Sequence, residues 1–141
     1  MRRELGDGYE LDDARDRVDR VAVHAFLTTA YWATGRSLEL NDELVENAFR
    51  VVGLYHEGDQ VGYARAVSDG ATVAYLADVY VLPEHRGRGL GVELVRSLVD
   101  EGPLAEVRKW VLHTSDAHEL YRRFGFAEPD ARLLERWRES S

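Results

Sequence analysis

The stretch VYVLPEHRGRGLGVELVRSLVD, Val79 to Asp100, decides how the chain is read. Val79 and Val81 are spaced as one face of a strand, and Pro83 ends it because proline has no N–H for the ladder. Gly87, Gly89 and Gly91 then alternate with Arg88 and Leu90, behind Arg86. Leu90, Leu94, Val95, Leu98 and Val99 recur at helical spacing. A glycine turn lets the backbone approach a ligand closely. It also aims unpaired N–H groups at the positive end of the helix dipole. With two arginines alongside, the pattern is a phosphate cradle suited to a pyrophosphate. A P-loop needs lysine after its last glycine, and the only lysine is Lys109. A dinucleotide fingerprint needs a third glycine where Val92 or Leu94 stands.

Outward from this turn, the upstream chain predicts hairpin-linked strands over Phe49–Tyr55, Val61–Val67 and Thr72–Val81. Glu57-Gly58-Asp59 and Ser68-Asp69-Gly70 supply the turns. Tyr9–Leu11 is a further short strand. Asp16 is expected to cap a helix whose apolar face is Val18, Val21, Ala22, Ala25 and Phe26. Tyr31 to Arg36 reads as a loop. Asn41 is expected to cap a second helix carrying Leu44, Val45 and Ala48.

Downstream, Gly102-Pro103 stops the long helix. A strand over Trp110–His113, reached by a helical crossover, should lie parallel to the third hairpin strand. Asp116 and Glu119 read as a capping box for a helix carrying Ala117, Leu120, Tyr121 and Phe124, with Gly125 as its C-terminal cap. The tail from Ala127 is ambiguous, a last strand or a short helix over Arg132–Trp137.

With 141 residues, residues 1–141 are expected to form one domain. No apolar run approaches a membrane span, and Met1-Arg2-Arg3 is followed by acids rather than an apolar stretch. The absence of cysteine excludes disulfides, thiolate metal ligands and a cysteine nucleophile. A cytoplasmic protein is the default expectation. The net charge of −8 argues against nucleic acid as main partner and favours either a cationic ligand or simple solubility. The five histidines show no metal-ligand spacing, so no metal is expected.

The order of elements, a mixed α/β sheet that is mainly antiparallel, resembles the GNAT superfamily of N-acetyltransferases, and the resemblance implies that the third hairpin strand and the parallel strand splay apart beside the glycine turn. The resemblance runs from about Tyr9 to Phe126. It is specific at Arg86-x-x-Gly89-x-Gly91 and at Ala117-x-x-Leu120-Tyr121-x-x-x-Gly125-Phe126. The family often has asparagine where this chain has Thr114. The resemblance implies acetyl-CoA as co-substrate. Its pyrophosphate falls on Arg86, Gly87, Arg88, Gly89, Leu90, Gly91 and Val92, and its pantetheine arm on the backbone of Val79, Tyr80 and Val81. It implies direct attack by a primary amine, with Tyr121 as the acid that protonates the leaving thiolate. Tyr121 also lies on an apolar stripe, where packing alone would explain it.

Asp78 interrupts an otherwise apolar strand and is the candidate to pair with the amine and help remove its proton. A carboxylate held at a bulge by backbone N–H groups is the plain alternative. Tyr31 and Trp32 are expected to wall the acceptor pocket. Arg36 reads as a solvated arginine that can also meet a substrate carboxylate, and His113 as a lesser proton-relay candidate. The expected partners are acetyl-CoA and a small-molecule amine, with a homodimer left open and neither nucleic acid nor membrane expected. The alternatives are a CoA-binding module without transferase activity and an acetyltransferase of protein amino groups.

Overall fold

The computed structural model describes residues 1–138. Six strands form one sheet in chain order: β1 (Arg2–Gly6), β2 (Tyr9–Asp12), β3 (Arg50–His56), β4 (Asp59–Ser68), β5 (Val73–Val81) and β6 (Lys109–Val111). Neighbours are antiparallel except β5 and β6, which are parallel. The helices are α1 (Arg20–Leu27), α2 (Leu38–Asn47), α3 (Leu90–Val99) and α4 (His118–Arg122). α3 is the crossover between β5 and β6, as the parallel pairing requires.

The core has two parts, one on each face of the sheet. Leu90, Leu94, Val95 and Leu98 of α3 pack on Val52, Leu54, Ala64, Ala66 and Leu76. Each fully buried leucine contributes roughly 1.5–3 kcal/mol of transfer free energy. On the other face α1 and α2 cover Val51, Tyr63 and Tyr80 with Val23, Leu27 and Val45.

The helix starts differ from those expected. Asp19, not Asp16, caps α1 by accepting from the Ala22 N–H at 3.0 Å. That shift moves the buried face to Val23 and Leu27 and leaves Val21 exposed. Ser37, not Asn41, caps α2. Asn41 is buried within the helix and donates to the Arg20 carbonyl. The Asp116–Glu119 capping box does not form. Thr114 Oγ1 instead accepts from the Ala117 N–H at 3.1 Å, ahead of α4. β1 is a strand that the sequence pattern did not announce, and the tail to residue 138 is neither strand nor helix. Among the described residues, no helix is long and apolar enough to cross a membrane.

Candidate active site

The site begins with a mismatch between β4 and β5. Tyr63 faces Tyr80 and Arg65 faces Ala77, so Ala64 stands opposite both Asp78 and Val79. This is a bulge, and Asp78 takes the left-handed conformation within it (φ 54°). Aspartate tolerates that region better than most residues. Pairing between β5 and β6 stops at Tyr75–Val111. Among the described residues, β5 has no partner on that side from Leu76 to Val81. The bulge at Asp78 and Val79 thus lies in the stretch of β5 beyond its last pair with β6.

The glycine turn closes one end of the gap. Gly89 is the residue before α3 and has φ 76°, with nothing within 4 Å of the place a Cβ would occupy. Among the described residues, the amide N–H groups from Gly87 to Val92 donate to no protein acceptor. They surround open space at the positive end of a ten-residue helix. Arg86 Nε donates to the Val81 carbonyl at 2.8 Å and braces the turn against the strand end. Arg88 instead leans towards the Tyr9 ring, 5.8 Å from its centroid. A cleft of about 740 Å³ runs from this turn along β5 to Tyr121. Val79, Tyr80, Val81, Arg86, Gly87, Gly89, Leu90, Gly91 and Val92 all line it, and Arg88 does not. The buried ring of Tyr80 is stacked on Phe26 at 4.3 Å, and both residues line the cleft.

A second hollow of about 290 Å³ adjoins the cleft. Tyr31, Trp32, Val79, Asp116, Ala117 and Tyr121 border both. Tyr31 and Trp32 meet edge to face at 5.1 Å, and the Tyr31 hydroxyl accepts from the Ser115 N–H across the opening. Both rings are substantially exposed, at 56% and 42%, so they wall a cavity rather than fill the core. Tyr121 is buried at the junction. Burial, helped by the charge of Asp116, pushes its hydroxyl up to about 12, so it holds its proton throughout the neutral range.

Asp78 does not stand free to meet an amine. Its Oδ1 accepts from Trp32 Nε1 (3.0 Å) and Arg36 (3.1 Å), and its Oδ2 from Arg36 (2.9 Å) and Arg65 Nε (2.7 Å). Four bonds fill the sites a carboxylate offers. Burial works to raise its pKa, but the hydrogen bonds and charges of the two arginines outweigh it and hold the carboxyl below its ordinary range. The backbone-bound alternative is thereby corrected, since the partners are side chains, and the expected pairing with a substrate ammonium would have to displace one of them. Arg36 is no solvated arginine either, at 10% exposure.

Arg65, which lines the hollow and holds Asp78, is a residue that sequence reasoning passed over, although a charge between Ala64 and Ala66 is the same signal that marked Asp78. Nor does spacing in the sequence bring Tyr75, His113 and Glu135 together. The Tyr75 hydroxyl and His113 Nδ1 are 2.5 Å apart, and His113 Nε2 lies 2.5 Å from Glu135. Among the described residues, no group of three or more His, Asp or Glu side chains could hold a metal ion.

The sequence profile of the acetyltransferase (GNAT) family matches residues 11–126. The chain belongs to that family. A GNAT-family protein of Xanthomonas campestris pv. campestris with a known crystal structure is 37% identical, with 92% of each chain covered and a TM-score of 0.87. A Gibberella zeae protein assigned as an acetyltransferase is 38% identical over 68 residues, 46% of this chain and 37% of that protein. An uncharacterised N-acetyltransferase of Pyropia yezoensis is 30% identical over 92 residues, 61% of this chain and 53% of that one. The chain covers about half or less of the length of these two curated relatives. The GNAT family uses acetyl-CoA as acetyl donor, and the free N–H groups, open glycine turn and unpaired β5 edge fit that molecule. At the family's asparagine position, Thr114 is already engaged at the start of α4.

Proposed function

We propose that this GNAT chain transfers an acetyl group from acetyl-CoA directly to a primary amine carried by a small molecule. One observation carries the reading: the long cleft and the smaller hollow meet at Tyr121, beside the unpaired edge of β5. A hollow of about 290 Å³ is of the size that takes a small molecule.

The N–H groups from Gly87 to Val92 hold the pyrophosphate, and the free β5 edge pairs with the pantetheine arm. An N–H near Val79 donates to the thioester oxygen and strengthens as negative charge gathers there. The amine nitrogen forms a bond to the acetyl carbon, the C–S bond breaks, and the electron pair leaves on sulfur. Tyr121 donates a hydrogen bond to that sulfur. Complete transfer of its proton, from about 12 to a thiol near 8.5, costs about 5 kcal/mol. Tyr121 therefore stabilises the departing thiolate by hydrogen bonding and shared proton, and solvent completes the protonation. The amine's proton passes to solvent at the rim, past the His113 imidazole, whose two ring nitrogens are engaged by Tyr75 and Glu135. Asp78 acts as a positioning residue that fixes Arg36, Arg65 and Trp32.

Thiol release from acetyl-CoA, followed across a panel of amines, tests the reading. Release that depends on the amine supports it. CoA binding without such release would reduce the chain to a CoA-binding module. Release only with peptide or protein amines would move the acceptor to protein.

A further inference from the structure

Two guanidinium groups share one carboxylate in the wall of the acceptor hollow. Arg36 takes Asp78 with a two-pronged grip, at 2.9 and 3.1 Å. Arg65 uses only its Nε, at 2.7 Å. Among the described residues, its two terminal nitrogens have no acceptor. Yet Arg65 is 12% exposed and Arg36 10%, so water screens them little. The three side chains carry a net charge of +1 within a molecule whose net charge is −8. The terminal nitrogens of Arg65 are not cut off from solvent, so an oxyanion entering the hollow can reach them. The other acids near the hollow are already directed elsewhere. Asp116 is exposed beside Tyr121, within reach of Thr114, and Glu135 faces His113.

We propose that the acceptor amine also bears an oxyanion, a carboxylate or a phosphate, held by the terminal N–H groups of Arg65. This rests on the acceptor pocket of the proposed transferase and names the class of molecule that fills it. The amine end lies at the junction with the cleft, by Tyr121 and Asp116. The oxyanion end reaches back to Arg65, whose planar fork suits two oxygens at once. Arg36 is the second source of positive field, and Trp32 and Tyr31 cover the carbon skeleton between the two ends.

The test compares four amines of matched length ending in carboxylate, phosphate, primary amide and ammonium. The expected kcat/KM for one or both anionic amines exceeds that for the amide by at least about tenfold. Which of the two leads distinguishes carboxylate from phosphate. The diamine should be the poorest. In Arg65→Gln, Asp78 keeps Arg36, so the fold is retained, as a melting curve checks. The advantage of the anionic amines then disappears, chiefly through KM. Equal rates for the amide and the anionic amines, a preference for the diamine, or an equal loss on all four in Arg65→Gln would overturn the inference while leaving the transferase reading intact. If no amine turns over, a binding titration decides. The chain and its Arg65→Gln variant are titrated with unreactive acids that lack the amine. Saturable binding lost in the variant supports the oxyanion site, and no binding, or binding unaffected by the substitution, refutes it.

Discussion

Asp78 and Tyr121 are both buried polar groups at the site, and their surroundings drive them in opposite directions. Two arginines lower the Asp78 carboxyl, while burial raises the Tyr121 hydroxyl. For Asp78 the folded-state pKa is depressed. Its stabilisation is therefore complete above the unfolded value near 3.8 and is lost as pH falls through the lower folded value. Asp78→Asn leaves two arginines facing a neutral amide and should destabilise the chain by about 3 kcal/mol at neutral pH. Asparagine accepts the left-handed backbone, so the loss reports charge rather than strain. Denaturant unfolding from pH 7 downward should show the wild-type advantage constant to about pH 5 and shrinking below 3.8. An advantage independent of pH down to about 2 would mean that the carboxylate is not the stabilising form. For Tyr121, replacement by phenylalanine keeps the ring in its packing. Turnover should fall about 10²-fold with CoA affinity nearly unchanged. Unaffected turnover would leave Tyr121 a packing residue.

Among the elements, the glycine turn and α3 were legible because their requirements are local. Positive φ selects glycine, and helical periodicity shows in the leucines. Gly91 offers the cleaner probe of the cradle. It does not sit at positive φ, and an added Cβ meets only Leu120, at 4.0 Å. Gly91→Val should fold and weaken CoA binding by at least about tenfold in a titration, because the side chain enters the cleft. Gly89→Val adds backbone strain of about 1–2 kcal/mol to the same obstruction. Unaltered CoA affinity in a folded Gly91→Val chain would remove the turn from the site. Helix starts were less legible, because several residues near each start can cap and tertiary packing chooses among them. Asp16 and Asp19 compete at α1, and Thr114 displaces Asp116 ahead of α4. The bulge at Asp78 was readable only as an unexpected charge. Its partners arrive from Arg65 on β4 and from the loop holding Trp32 and Arg36, and sequence spacing carries no record of that meeting.

At the scale of the whole molecule, the two hollows draw on different parts of the chain. The long cleft is built from α1, the loop after it, β5, the glycine turn, α3 and α4. The smaller hollow adds Arg65, Tyr75, His113 and the tail through Trp137. The tail packs loosely, with Leu134 and Trp137 at 89% and 79% exposure. Ending the chain at Pro129 should therefore shift the melting temperature little and spare CoA affinity. It should raise the acceptor KM several-fold, since Trp137 and the partner of His113 are lost; an unchanged acceptor KM would exclude the tail from the site. The most direct measurement of the central claim uses acetyl-CoA with an isotopically labelled acetyl group. Mass spectrometry of the protein and of an amine acceptor then shows where the label goes. Direct transfer predicts label on the amine nitrogen, formed only when both substrates are present, and none on the protein. Label accumulating on a protein side chain, or appearing only as free acetate, would contradict it.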